Sequence, residues 1–328
     1  MKLLVTGGLG FIGSNFILNI IQNHNDFQVT NIDDQLYGAN PQNLLDILDS
    51  KNYQFVKGNI TDTVLLEKLV SDCDMVVNFA AESHVDRSIA NINPFIESNI
   101  VGVSNLLNII KKHKKKLLHV STDEVYGSLK NESAKEDLRF NPSSPYAASK
   151  AASELLINSF ITTFDCDCMI TRCTNNYGPR QFPEKLIPKT ILLAQKNKKI
   201  PVYGDGKNIR DWIFVTDHCK SIMDVLLKGK SGQSYNISAN NEIDNLTIIE
   251  KILTIMNKPM DLIEFVEDRP GHDFRYSLDS SKIRNELGWS QEVNFEIGLQ
   301  NTINWYQSNQ QWWINIAENT FNATPWKN

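Results

Sequence analysis

The first strand-like run, Leu3-Leu4-Val5-Thr6, passes directly into Gly7-Gly8-Leu9-Gly10-Phe11-Ile12-Gly13. Gly7, Gly10 and Gly13 recur at every third position, between a strand and the start of a helix. Missing side chains there permit a tight turn, close backbone approach to a pyrophosphate and close helix–sheet packing. The helix amino terminus then offers free N–H groups and positive dipole to phosphates. Asp33 ends the second strand, twenty residues after Gly13. A carboxylate in that place accepts hydrogen bonds from the adenosine ribose hydroxyls and repels a 2′-phosphate, which points to NAD rather than NADP. Asp34 adds negative charge, and no arginine lies nearby in sequence.

Pro145-Tyr146-Ala147-Ala148-Ser149-Lys150 carries a second reactive pair, Tyr146 and Lys150. On a helix their spacing puts both on one face and within reach of each other. A tyrosine, with a pKa of about 10, is ordinarily a poor base. A nearby ammonium and the positive nicotinamide ring would lower that value. Tyr146 could then take a proton from a substrate hydroxyl as hydride leaves its carbon. Tyr-x-x-x-Lys also arises by chance as a surface pair; its weight comes from standing in phase with a dinucleotide turn.

These groups need a scaffold. Strand-like runs at Leu3–Thr6, Phe27–Ile32, Tyr53–Lys57, Met75–Phe79, Leu117–Ser121 and Cys168–Thr171 alternate with helix-length segments. Those segments are Phe11–Asn23, Thr63–Ser71, Pro94–His113 and Pro145–Phe164. Such alternation predicts an α/β fold, a Rossmann-type doubly wound parallel sheet with ligands at the strands' carboxyl ends. After about Asn175 the pattern loosens, and Pro179, Pro183, Pro188 and Pro201 punctuate a loop-rich region. Ile213-Phe214-Val215 reads as a return to the sheet, and helices are predicted at Leu246–Met256 and Phe295–Asn309. The expected division is residues 1–175 with about 209–240 for NAD, and about 176–208 with 241–328 as a smaller, discontinuous α/β lobe for the substrate.

Composition excludes other classes. Among 328 residues, 41% are hydrophobic and 22% charged, enough apolar surface to exclude disorder as the main state. A net charge of -5 gives no bulk attraction to nucleic acid. No run of about 18 apolar residues suits a membrane span, and the apolar start is too short for a signal segment. Cys73, Cys166, Cys168, Cys173 and Cys219 are odd in number and contain no Cys-x-x-Cys, so reduced thiols, no metal and a cytoplasmic setting are expected. The run Lys111–Lys116, with His113 inside it, reads as a solvated helix end. Trp305, Tyr306, Trp312 and Trp313 read as packing of a terminal helix.

The turn, Asp33 and Tyr146/Lys150 together resemble an extended short-chain dehydrogenase/reductase, a family of nucleotide-sugar epimerases, decarboxylases and dehydratases. His119-Val120-Ser121-Thr122-Asp123-Glu124-Val125-Tyr126-Gly127 resembles the Thr-Asp-Glu signature of its dTDP-glucose 4,6-dehydratases. Taken alone, Asp-Glu after a strand is a turn or helix-start signal. The resemblance implies oxidation at the hexose C4, loss of water across C5–C6 and hydride return to C6, with NAD regenerated. Glu124 would be the base at C5, Asp123 the acid at the C6 hydroxyl, and Thr122 a hydrogen-bond partner of the C4 oxygen beside Tyr146. Adjacent carboxyls can be driven to opposite protonation states by repulsion and unequal burial.

Matches extend along most of the chain. By resemblance, Gly7, Gly10, Phe11, Ile12, Gly13, Asp33, Asn59, Ile60, Ala80, Ala81, Ser98, Tyr146, Lys150 and Asn176 would hold NAD. Ser83, His84, Asn175, Glu184, Lys185 and Leu186 would face the sugar nucleotide, Pro201 and Tyr203 its base, and Arg210, Asn245, Arg269 and His272 its diphosphate and ribose. Lys185, Arg210 and Arg269 would form a cationic pocket concealed by the net charge. The segments Pro94–His113 and Pro145–Phe164 resemble those that pair subunits through a four-helix interface, implying a homodimer.

Three positions depart from the family pattern. Asn59 stands where an aspartate is usual beside the adenine; its carbonyl can still accept from the adenine amino group. Arg180 replaces a frequent aromatic residue, and Phe274 a frequent arginine. These leave thymidine versus uridine preference open. A UDP-sugar dehydratase, a 4-epimerase and an NAD-binding regulatory protein are the competing readings; Thr122-Asp123-Glu124 argues against the epimerase, and the intact reactive groups against the regulator.

Overall fold

The computed structural model describes residues 1–316, 318–322 and 325–327. Seven parallel strands form the main sheet: β1 (Lys2–Thr6), β2 (Gln28–Asp33), β3 (Tyr53–Lys57), β4 (Met75–Asn78), β5 (Lys116–Thr122), β6 (Cys168–Cys173) and β10 (Ser234–Ile237). Their order is β10-β6-β5-β4-β1-β2-β3. Strand order reverses between β1 and β4, and the crevice at their carboxyl ends is where such sheets take ligands. Leu4, Val5, Val76, Val77, Leu117 and Leu118 are buried, as a sheet covered on both faces requires.

Helix α1 (Phe11–Asn23) follows the glycine turn, and α2 (Thr63–Asp72) is capped by Asp62, whose carboxylate accepts from the Val64 and Leu65 N–H groups. After β4 come α3 (Val85–Ala90), α4 (Asn93–Ile96) and α5 (Val103–His113). Residues Glu97–Gly102 between α4 and α5 form π-type turns. The sequence predicts one regular helix there; the extra residue per turn is invisible to periodicity. Helix α6 (Pro145–Phe164) starts with a Ser144 cap on the Ala147 N–H and a proline in its first turn. Its positions 146, 150 and 154 form one stripe against β5.

The loop-rich expectation after Asn175 is corrected. Helix α7 (Leu186–Gln195) carries Pro188 in its first turn, where a missing N–H costs nothing. Helix α8 (Val215–Lys228) buries nine residues. The return to the main sheet is also corrected. Ile213 and Phe214 lie in β9 (Ile209–Phe214), which pairs with β7 (Asn175–Tyr177) and β11 (Glu242–Asp244) in a separate three-stranded sheet. The chain rejoins the main sheet only through β10, after α8 has made the crossover. Strands β8 (Ile200–Tyr203) and β12 (Ile263–Val266) pair in parallel. Helices α9 (Asn245–Ile255), α10 (Ser281–Leu287), α11 (Phe295–Ser308) and α12 (Gln310–Trp313) complete the fold.

Apolar clusters flank the main sheet, and a separate one joins α7, α9 and α11 to β9. Tyr306, Trp312 and Trp313 are buried in that last cluster, with Trp305 packed against it. Helix α5 ends at Lys114 in the left-handed conformation, and Lys112 and His113 face Glu67. All five cysteines are buried and unpaired. Among the described residues no cluster suits a metal ion, and no helix is long and apolar enough to cross a membrane.

Candidate active site

A cavity of about 330 Å³ opens at the carboxyl ends of β1, β2, β4, β5 and β6. Gly7 has φ of 70°, and a Cβ there would lie 2.6 Å from the Ala80 nitrogen. A Cβ on Gly13 would lie 2.6 Å from the Gly7 carbonyl oxygen. Glycine is therefore required at both by close backbone approach. Helix α1 starts at Gly10 with no side-chain cap and no acidic residue in its first turn, so its N–H groups remain available to an anion.

Asp33 is fixed by the N–H groups of Leu9 (3.0 Å) and Gln35 (2.8 Å). Burial raises its pKa, and these two donors oppose the rise. Asn59 donates to Asp34 (3.0 Å), and its carbonyl oxygen accepts from both the N–H and the hydroxyl of Thr61. Accepting from an adenine would cost Asn59 one of these bonds. Phe11, Ile12, Ile60, Ala80, Ala81, Ser98 and Asn176 line the same cavity. Asn99, in the π-type turns, holds the loop after β4 at Glu82: its Oδ1 accepts from the Glu82 N–H (2.9 Å), and its Nδ2 donates to the Glu82 carbonyl (3.0 Å).

The reactive groups stand where β5 ends. Thr122 caps the 3-10 turn Asp123–Tyr126, its hydroxyl accepting from the Glu124 N–H. That hydroxyl also donates to Asp123 Oδ1 (3.1 Å). Asp123 Oδ2 and Glu124 Oε2 are buried without a partner. Burial, then the Glu124 charge, raises Asp123 well above the carboxylate range. Burial raises Glu124 too, but Arg269, Lys185 and Arg210 oppose it. Burial thus favours the acid form of both carboxyls, and neighbouring cations oppose it more at Glu124 than at Asp123.

Tyr146 and Lys150 line the same cavity, one helical turn apart on α6. Lys150 Nζ donates to the Val120 carbonyl (2.7 Å) and lies 3.1 Å from His119 Nε2. Burial lowers its pKa to about 8. Tyr146 is pushed well above the tyrosine range by burial, then by the Glu124 charge. In the protein itself these effects outweigh the lowering expected from the lysine.

Ser83, His84, Asn175, Glu184 and Lys185 line the far wall. His84 Nδ1, Asn175 Oδ1 and Glu184 Oε2 are buried and unpartnered. Their residues, with Asp123 and Glu124, line one cavity, an arrangement suited to a hydroxyl-rich ligand. Burial pushes His84 well below its ordinary value, so its ring is neutral. Leu186, Pro201, Tyr203, Arg210, Asn245, Arg269 and His272 do not line this cavity. Arg210 donates to the carbonyls of Ile209 (2.7 Å), Asp273 (2.9 Å) and Phe274 (3.2 Å), and its guanidinium stacks on Tyr276. Pro201 pairs with β12, and the Asn245 N–H donates to the Asn208 carbonyl. His272 Nδ1 lies 2.6 Å from Asp268.

Asp86 escaped sequence reasoning. It is buried and binds both Arg269 (3.0 Å) and the Tyr203 hydroxyl (3.0 Å), tying α3 to the β8–β12 side. Tyr37 was missed too; it lines the cavity with its ring 3.7 Å below the Arg87 guanidinium. An acidic residue inside an otherwise cofactor-like loop, and an aromatic after Asp33-Asp34, were the available signals. Arg180 donates to the Asn43 carbonyl and lies over Trp305, while Phe274 is exposed; neither reaches the cavity.

A dinucleotide turn, an acidic β2 terminus, a Tyr-x-x-x-Lys face and a carboxyl pair converging on one crevice define an extended short-chain dehydrogenase/reductase. Within that class, a family model described as GDP-mannose 4,6 dehydratase matches residues 4–302, and the chain belongs to that family. It is similar to the dTDP-glucose 4,6-dehydratase of Streptomyces niveus, 45% identical over 95% of this chain and 95% of that protein. The crystal structure of DesIV, a dTDP-glucose 4,6-dehydratase from Streptomyces venezuelae solved with NAD bound, superposes with a TM-score of 0.94. It is 42% identical, covering 95% of this chain and 99% of that one. The dTDP-glucose 4,6-dehydratase of Bacillus anthracis, solved in complex with NAD, gives a TM-score of 0.91 at 44% identity, covering 97% and 100%.

Proposed function

We propose that this protein converts dTDP-glucose to dTDP-4-keto-6-deoxyglucose with loss of water, using bound NAD. The observation that carries this reading is a pair of buried carboxyls, Asp123 and Glu124, lining the cavity that Tyr146 and Lys150 share, with cations opposing burial more at Glu124. A simple C4 epimerisation needs no such pair.

The glycine turn and the α1 amino terminus would hold the pyrophosphate of NAD, and Asp33 the adenosine ribose. NAD held there would supply the hydride acceptor for C4 and the hydride donor for C6. Tyr146 removes the C4 hydroxyl proton, with Thr122 steadying the oxygen and Lys150 stabilising the phenolate. The new ketone acidifies the C5 hydrogen, which Glu124 removes. Asp123 protonates the departing C6 hydroxyl, and Glu124 then returns a proton to C5. His84, Asn175, Glu184 and Lys185 orient the hexose, while Arg210, Arg269, Asn245 and His272 meet the diphosphate and ribose, and Pro201 and Tyr203 the base.

A two-lobe division, residues 1–175 with about 209–240 for NAD and about 176–208 with 241–328 for the sugar nucleotide, belongs to this reading. Five buried, unpaired thiols fit a cytoplasmic enzyme. Exposed Leu155 and Phe164 on α6, with Ile96 and Val101 before α5, fit a helix-paired homodimer. Light scattering at twice the chain mass checks it; a monomer at micromolar concentration refutes it.

The deciding experiment incubates the protein with NAD and dTDP-glucose or UDP-glucose and follows 4-keto product by its absorbance in base. Keto product from the thymidine substrate is expected. Glucose–galactose interconversion with no keto product would overturn the reading.

A further inference from the structure

Behind Lys150 runs a buried polar chain whose other three members the mechanism above does not use. Thr6, Asn78, His119 and Lys150 come from β1, β4, β5 and α6, and all four are buried. The Thr6 hydroxyl bonds to Asn78. Asn78 Nδ2 lies 2.9 Å from His119 Nδ1, and His119 Nε2 lies 3.1 Å from Lys150 Nζ. Thr6 also accepts from the Ala80 N–H, at the cofactor side of the crevice.

The groups facing Lys150 are few. Glu154 stands one turn along α6 and its charge opposes the effect of burial on Lys150, but its oxygens bond elsewhere: it pairs with Arg172 at 2.7 Å and accepts from the Ser121 hydroxyl. Cys173 approaches from β6 as a thiol, its ionisation suppressed by burial. The Val120 carbonyl and His119 Nε2 are the acceptors within hydrogen-bond distance of Nζ.

Chemistry restricts the imidazole. A fully buried ring is neutral and carries one proton. An ammonium can only donate, so with Lys150 charged Nε2 must be the bare nitrogen and Nδ1–H must face Asn78; the amide is then turned over from the orientation above, its oxygen meeting Nδ1 and its NH2 the Thr6 hydroxyl. With Nε2–H toward the lysine, only an uncharged amine fits. The ring tautomer and the amide orientation are therefore locked to the charge on Lys150.

We propose that His119 is a positioning residue for proton transfer at Tyr146: its Nε2 is the acceptor that keeps the Lys150 side chain charged and aimed at the reaction. This rests on the reading of Tyr146 and Lys150 as the base pair of the first step. Loss of the acceptor leaves an ammonium with one fewer partner in a buried site. The lysine then loses its proton at lower pH, and Tyr146 loses the positive neighbour that eases its ionisation.

The test compares wild type, His119→Leu and His119→Gln as NAD-loaded proteins with 13C-labelled lysine. NMR titration of the Lys150 Cε signal reads its midpoint directly. We expect His119→Leu to lower that midpoint by about one unit, and His119→Gln, whose amide oxygen can still accept, to restore most of it. In steady-state assays the acid limb of the kcat profile should move up by a similar amount in His119→Leu, with KM little changed. Coincident titrations and coincident limbs would overturn the proposal, even if the rate fell. Where the leucine variant does not fold, His119→Asn, too short to reach Nζ, takes its place. Wild type that makes no keto product refutes the dehydratase reading, while the lysine titration still decides the histidine's role.

Discussion

At the scale of single residues, the site is a contest between burial and neighbouring charge. Asp123 and Glu124 are adjacent in sequence, yet only Glu124 has three cations opposing its burial. Turnover should rise with pH as Glu124 ionises and fall again as Asp123 does, giving a bell in the elimination step. Asp123→Asn should remove the Asp123 limb. Glu124→Gln should lower keto-product formation by about 10²–10⁴-fold, the usual range for a general base, and let reduced cofactor accumulate at 340 nm. Unchanged turnover would remove Glu124 from its role. The Asp123 carboxyl is also a stability liability. A raised folded-state pKa on an acid means its contribution is fully present below the unfolded value, about 3.9, and is lost as pH rises toward the folded one. Asp123→Asn should therefore raise Tm more at pH 7 than at pH 4 by calorimetry.

At the scale of elements, the glycine turn shows what geometry demands. A Cβ on Gly13 meets the Gly7 carbonyl, and backbone atoms there cannot swing aside. Gly13→Ala should cost about 1–3 kcal/mol of stability and weaken NAD about tenfold, since each ~1.4 kcal/mol is one decade; fluorescence titration measures it. This turn, α1 and α6 were legible in the sequence because their signals are local: glycine spacing, Ser144 before Pro145, and a 3.6-residue stripe. The placement of β9 was not, since a strand's partner depends on the crossover made by a helix downstream. Helix α7 hid behind Pro188, whose position in a first turn is harmless but reads as a break. The π-type turns at Glu97–Gly102 left no periodic trace, yet they carry Ser98 to the cavity and aim Asn99 at Glu82. Half of the site was thus readable as motif. The other half, Asp86, Tyr37 and the chain through His119, exists only once separate elements are packed together.

At the scale of the whole molecule, Asp86 joins α3, beside the main sheet, to the β8–β12 side through Arg269 and Tyr203. Arg269→Met should strand a buried carboxylate and cost about 3–5 kcal/mol, lowering Tm, and should also raise KM for the sugar nucleotide. A normal KM would separate Arg269 from ligand recognition. Arg269 has a second listener, because its charge, with those of Lys185 and Arg210, holds down the pKa of Glu124. A diphosphate arriving on these cations spends part of their field, and the proton affinity of Glu124 must rise in answer. Binding is then also a titration: the protein should draw protons from solution as the nucleotide docks. Calorimetry in buffers of differing ionisation enthalpy would count them, and in Glu124→Gln the count should fall.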